Sequence, residues 1–222
     1  MIIDKDHKRG FKITLGLILS LFMTISVIMN SGYLKFIDSV IISSVQKSQG
    51  GFEDRLMHLC TTLASPKMDI IWILIIAFFL WGFRHKIVAI WSLFTIIGGD
   101  VIAFIVKNIV RRPRPSLHSA ADTGFSFPSG HVFGIFIVIS IIWIVLLPLI
   151  QGKKKQLLIQ IVTFIFLILV MMSRIYLNAH FPTDTLGAAF IAYTWVQISQ
   201  IFYVKYAPSL KDHFKPVKRS YL

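Results

Sequence analysis

Apolar side chains along this chain do not simply alternate with polar ones; they fill six long stretches, residues 13–29, 68–83, 87–106, 132–150, 157–172 and 186–204. A helix needs about 20 residues, with a range of about 17–25, to cross the hydrocarbon of a bilayer. Four of the stretches reach or nearly reach that length. The other two, 68–83 and 157–172, are all but free of charge and bounded by it, with Pro66 and Lys67 ahead of one and Lys153, Lys154 and Lys155 ahead of the other. The pattern predicts an all-α, polytopic membrane protein with six transmembrane helices. Between the first and second spans it changes: Leu34, Ile37, Ile41 and Val45 recur at helical spacing, as do Phe52, Leu56, Leu59 and Leu63, with Asp38, Lys47, Glu53, Asp54 and Arg55 at polar positions. Two short amphipathic helices are expected there, lying in the outer membrane interface or packed on the bundle.

Composition agrees, since 55% of the 222 residues are hydrophobic, a share that fits spans better than a soluble core. Short loops, with no low-complexity linker and no internal repeat, predict a single integral-membrane domain over residues 1–222. The first stretch, preceded by basic residues, is longer than a usual signal-peptide core and has no Ala-x-Ala-like site around residues 30–33, so it is read as a span. The single Cys60 cannot form an internal disulfide and is read as packing.

The net charge of +13 would point to nucleic acid in a soluble protein. Here most basic residues stand in short loops beside apolar spans, so orientation explains them, the partner is the bilayer, and no nucleic-acid partner is expected. With six spans, fourteen of the 23 Lys and Arg residues fall on the side that holds both termini, which should be cytoplasmic. Of the nine on the other side, Lys107, Arg111, Arg112, Arg114 and Arg174 belong to two segments with a chemical reason of their own.

Those segments, 107–131 and 173–184, are separated by two predicted spans and so share a face of the membrane. Ionisable groups beside a span are expensive, and their clustering marks function. Lys107, Arg114 and Arg174 are three fixed cations. Guanidinium forks match phosphate oxygens in pairs, and a lysine adds a compact charge. Ser129 and Gly130 stand where a helix would begin, with backbone N–H groups free for an anion. His180 and Asp184 are four apart, within reach for the carboxylate to take one ring N–H, fix the tautomer and leave the other nitrogen to attack phosphorus. His131 is then left to protonate the departing oxygen.

The three blocks Lys-x6-Arg-Pro, Pro-Ser-Gly-His and Ser-Arg-x5-His-x3-Asp are filled by Lys107, Arg114 and Pro115, by Pro128, Ser129, Gly130 and His131, and by Ser173, Arg174, His180 and Asp184. In this the chain resembles the type 2 phosphatidic acid phosphatase family, which shares its site with vanadium haloperoxidases. The resemblance covers Lys107 to Asp184 directly, and the six-span layout is similar to that of the family's bacterial membrane members. It implies a phosphohistidine at His180, general acid catalysis by His131, no metal or other cofactor, and a site on the outer face. Asn178 stands where such sequences often have glycine, and Gly187-Ala188 reverses the more usual order.

His7, His58, His85 and His213 are read as structural, while His118, in the catalytic loop, stays open. Asp100, seven residues before Lys107, is expected to support that region or to bond between helices. No His-Glu-x-x-His, paired cysteines or carboxylate cluster suggests a metal site. The expected activity is that of a metal-independent lipid phosphatase, acting on phosphatidic acid, phosphatidylglycerophosphate, diacylglycerol diphosphate or isoprenyl diphosphate. A lipid phosphotransferase, a haloperoxidase and a non-enzymatic lipid-phosphate binder or transporter are the rival readings; the sequence leaves the oligomeric state open.

Overall fold

The computed structural model describes residues 2–46 and 50–221. Among them the helices are α1 (Arg9–Ile28), α2 (Gly32–Val45), α3 (Gly51–Leu63), α4 (Pro66–Gly82), α5 (Lys86–Val110), α6 (Gly130–Ile141), α7 (Lys153–Tyr176) and α8 (Pro182–His213), and no strand occurs. Pro66 and Pro182 open α4 and α8 at first-turn positions, where the missing N–H would have had no intrahelical partner. α6 continues through a π turn, Ile142–Leu146, and a 3-10 turn, Leu147–Leu149. Pro148 lies in that last turn, and a residue without an N–H suits the end of a helical rod.

Arg9–Ile28, Lys86–Val110, Gly130–Leu149 and Lys153–Tyr176 are each long and apolar enough to cross a membrane. The pair α3–α4, bent by 56° at its break, makes a fifth if counted as one span. Length and composition thus recover four or five of the six predicted spans. The sixth apolar stretch, 186–204, lies inside α8 and is diluted by Thr194, Gln197, Ser199 and Gln200.

α8 can carry those polar groups because it is enclosed. It packs along α1, α5 and α6 and touches α2 and α7, and a helix wrapped by others turns little surface to lipid. Thr194, Ser199 and Gln200 are buried. Arg9 donates to Gln200 at 3.0 Å, Thr194 and Ser20 share a hydrogen bond at 3.3 Å, and the Trp91 indole N–H reaches the Ser199 carbonyl at 2.9 Å. By contrast only 22% of the apolar window of α1 and 17% of that of α7 is buried, against 50% for α5 and 56% for Gly130–Leu149, so α1 and α7 form the lipid-facing rim.

The two amphipathic segments are helical, as predicted. α2 packs on α7 and α8, and α3 on α7 and α4, so both sit on the bundle. Tyr33, Phe36, Phe52 and Leu59 remain exposed on them, an apolar outer surface suited to an interface. Lys47, one of the predicted polar positions, lies outside the described residues.

One close approach positions the site. A Cβ on Gly187 would stand 2.4 Å from the ring of Phe127, itself fully buried. The segment leading into α6 is thereby pressed against the first turns of α8, and the Ser129 N–H meets the Asp184 carbonyl at 3.3 Å. This gives the Gly187-Ala188 order a physical reason, since any side chain at 187 would displace Phe127.

Candidate active site

α5 is capped by Arg111, whose φ of 50° lies in the left-handed region and turns the chain back over the bundle. The returning segment brings Arg112 and Arg114 against the start of α8 and the end of α7. α7 ends at Tyr176, and Asn178 takes φ 55° to reverse the chain, so that Ala179 and His180 both donate to the Arg174 carbonyl at 3.0 and 3.1 Å. A position of positive φ explains why glycine is common there, and asparagine is among the residues that tolerate it. Its side-chain oxygen accepts from Gln46 at 2.6 Å.

The three predicted cations come together, Lys107 within electrostatic reach of Arg114 and Arg174, and these two beside His180. Its Nε2 lies 3.3 Å from Arg114 Nη1, and Arg114 and Arg174 are both within electrostatic reach of the ring. Each cation is held by one short stretch of the loop between α5 and α6. Arg174 Nη2 donates to the Asp122 carboxylate at 2.7 Å, Arg114 donates to the Thr123 and Gly124 carbonyls at 2.9 and 3.0 Å, and Lys107 Nζ donates to the Phe125 carbonyl at 2.9 Å. Arg114 also donates to the Ala179 carbonyl at 2.7 Å, and Thr61 of α3 accepts from Arg174. Ser129 is fully buried, and its hydroxyl has no hydrogen-bond partner among the described residues. His131, in the first turn of α6, lies within reach of His180, Arg174, Arg114 and Lys107.

Asp184 is fully buried and its oxygens are divided. Oδ2 accepts from the Phe181 N–H at 2.9 Å and stands 3.7 Å from His180 Nδ1. That distance supports a charge contact rather than the hydrogen bond that the i, i+4 spacing predicts, and Nδ1 has no hydrogen-bond partner among the described residues. Oδ1 accepts from Arg112 at 2.6 Å. Burial pulls the His180 imidazole down to about 4, partly opposed by Asp184, so the ring is neutral at physiological pH. Burial pushes the Asp184 carboxyl up, but His180, Arg112 and the Phe181 N–H outweigh it and hold the group below the usual carboxylate range.

Sequence reasoning passed over Arg112, Asp38, Asp122 and Thr183 as site residues. A signal for Asp38 was available: it falls four residues after Leu34 and so on the apolar face of α2, where a carboxylate calls for a buried cation. His118 turns back on the Pro115 carbonyl, Nδ1 to O 2.7 Å. Asp100 is exposed on α5 and makes no side-chain hydrogen bond among the described residues, so neither support of Lys107 nor a bond between helices is seen.

The family model of the PAP2 superfamily matches residues 88–207, a span that contains every one of these cations and both histidines. The chain belongs to the PAP2 superfamily. Phosphatidylglycerophosphatase B of Bacillus subtilis strain 168 is 34% identical over 87 residues, a match spanning 37% of this chain and 42% of that relative. Among solved structures, the transmembrane PAP2-type phosphatidylglycerolphosphate phosphatase of B. subtilis superposes with a TM-score of 0.76 at 20% identity, covering 88% of this PAP2 chain and 97% of its own. Aquifex aeolicus LpxE superposes with a TM-score of 0.54 at 23% identity, over 75% and 93% of the two chains. At those identities the two structures establish a shared fold.

Proposed function

We propose that this PAP2 protein is a lipid phosphate phosphatase that works through a phosphohistidine on His180. The observation that carries this reading is the buried His180, whose Nε2 faces Arg114 and whose Nδ1 is backed by the Asp184 carboxylate. In the first step Nε2 attacks phosphorus, the bond to the lipid oxygen breaks, and His131 gives that oxygen a proton. Asp184 offsets the positive charge left on the His180 ring. In the second step His131 takes a proton from water, the water oxygen bonds to phosphorus, the P–N bond breaks and inorganic phosphate leaves. Lys107, Arg114, Arg174 and the Ser129 hydroxyl hold the phosphoryl oxygens, the electrostatic part that a divalent metal plays in many other phosphoryl transfers. The names of the relatives, phosphatidylglycerophosphatases among them, support a lipid ester as substrate.

The test is phosphate release from purified phosphatidic acid, phosphatidylglycerophosphate, diacylglycerol diphosphate and isoprenyl diphosphate in detergent with excess chelator. Release from at least one of them is expected. No release, or release restored only by magnesium, removes the metal-free phosphatase reading.

The whole chain is read as one membrane unit, with α4 and α8 completing six crossings. The loop between α5 and α6 then faces outward with the site, and both termini are cytoplasmic, in keeping with the distribution of lysine and arginine. With Cys60 replaced, Ser119→Cys should react with an impermeant thiol reagent in intact cells; labelling only after lysis reverses the orientation.

A further inference from the structure

Asp184 is not oriented by His180 alone. Its Oδ1 is taken by Arg112 Nη1 at 2.6 Å, and the other arm of the same guanidinium, Nη2, donates to Asp38 Oδ2 at 2.7 Å. Arg112 Nη1 also donates to the Thr183 hydroxyl at 2.8 Å, and the guanidinium lies 4.1 Å from the centre of the Phe181 ring. Asp38 in turn holds the first turn of α8, accepting from the Thr183 N–H at 2.9 Å through Oδ1 and from its hydroxyl at 2.9 Å through Oδ2. Asp38 and Asp184 are 3% and 0% exposed, so two carboxylates are enclosed with one cation between them. Removing that cation leaves both uncompensated, and only a planar fork reaches the two at once.

We propose that Arg112 and Asp38 are a positioning pair, which fixes where Asp184 stands against His180 and makes α2 a working part of the site. The proposal rests on the nucleophilic role given to His180 above. Held by Arg112 through Oδ1 and by the Phe181 N–H through Oδ2, Asp184 stays 3.7 Å from Nδ1, close enough to stabilise the charged intermediate and too far to keep the resting ring protonated. The groups facing His180 are Asp184 from α8, Arg174 from α7, His131 from α6 and Arg114 from the α5–α6 loop. Lys107 of α5 and Asp122 of the loop stand beside those cations. Of this set Asp184 alone is acidic and close to Nδ1, and among the described residues Arg112 is the one side-chain cation that hydrogen-bonds it, with Lys107 and Arg114 at longer electrostatic reach.

The experiment compares wild type with Arg112→Gln, Arg112→Lys and Asp38→Asn, purified as folded, monodisperse protein. Turnover of a lipid monophosphate is followed as kcat and KM against pH, and the His180 ring nitrogens are titrated by NMR without substrate. Arg112→Gln frees Asp184 to pair with the ring, so the acid limb of kcat/KM and the NMR titration of His180 should both move up by about one pH unit. Its kcat should fall on the order of 100-fold, the scale of a reacting group displaced by about 1 Å, with KM changed much less. Arg112→Lys keeps the charge but cannot reach both carboxylates, so kcat falls while the acid limb stays near its wild-type place; should Arg112→Gln fail to fold, this split decides. Asp38→Asn should lower kcat less than Arg112→Gln.

An unmoved His180 titration in Arg112→Gln, or wild-type kcat in Arg112→Lys, overturns the pair. The NMR titration reads independently of any lipid. A wild-type protein that releases no phosphate therefore removes the phosphatase reading, while the NMR titration alone decides whether Arg112 positions Asp184 against His180.

Discussion

His180→Ala is expected to abolish phosphate release, a loss on the order of 10⁶-fold, the scale seen when a nucleophile is removed. Wild-type protein mixed with labelled lipid phosphate and quenched in alkali, where phosphohistidine survives, should carry the label on one histidine, and His180→Ala should carry none. The pH dependence follows from the ring being pulled down to about 4. The attacking form is the neutral ring, whose share rises as pH rises through that value, so the acid limb of kcat/KM that belongs to His180 should lie near 4, while the general acid His131 sets a separate limb on the alkaline side. Full activity of His180→Ala, or label that survives alkali on a residue other than histidine, ends the covalent mechanism.

His131→Ala should separate two kinds of substrate. A general acid contributes roughly 100- to 10,000-fold where the leaving oxygen needs a proton. Phosphatidic acid expels a lipid alkoxide, a strong base. A diphosphate lipid expels a lipid monophosphate, a far weaker base because its second pKa is about 6. In single-turnover measurements on matched monophosphate and diphosphate lipids, His131→Ala should therefore lose much more on the monophosphate. Arg174→Ala should lose alike on both, since the role proposed for Arg174 is to hold the transferred group in either case. Equal losses for His131→Ala on the two lipids would make His131 a phosphate ligand and not the acid.

The helices and the meeting of the three motifs were legible because each rests on a local rule. Apolar length gives the spans, and two spans between the segments bring Lys107, Arg114, His131, Arg174 and His180 to one face. The stretch 186–204, predicted as a sixth span, is not among the helices long and apolar enough to cross a membrane, for a tertiary reason: α8 is enclosed, so Thr194, Ser199 and Gln200 find partners inside the bundle and lower its apolar content. The layer behind Asp184 was missed because Arg112 and Asp38 are 74 residues apart and meet only when α2 folds over the start of α8. Asp38 on the apolar face of α2 was a readable sign of a buried partner, but nothing in the sequence named which cation. Asp122 gave no sign at all, being one acid in a polar loop whose path only the structure supplies.

The stretch 122–125, which occupies all three cations proposed to hold phosphate, bears on how long the product would stay. Lys107, Arg112, Arg114 and Arg174 are matched by Asp38, Asp122 and Asp184, so with His180 neutral and His131 holding the proton taken from water the interior carries two excess positive charges. Four bare cations around an inorganic phosphate dianion would form a trap, and dissociation would limit every turnover. With carboxylates in place the filled site is close to neutral, and each cation has a carboxylate or carbonyl to return to as the ion departs. The same acids that weaken the grip on substrate shorten the residence of product.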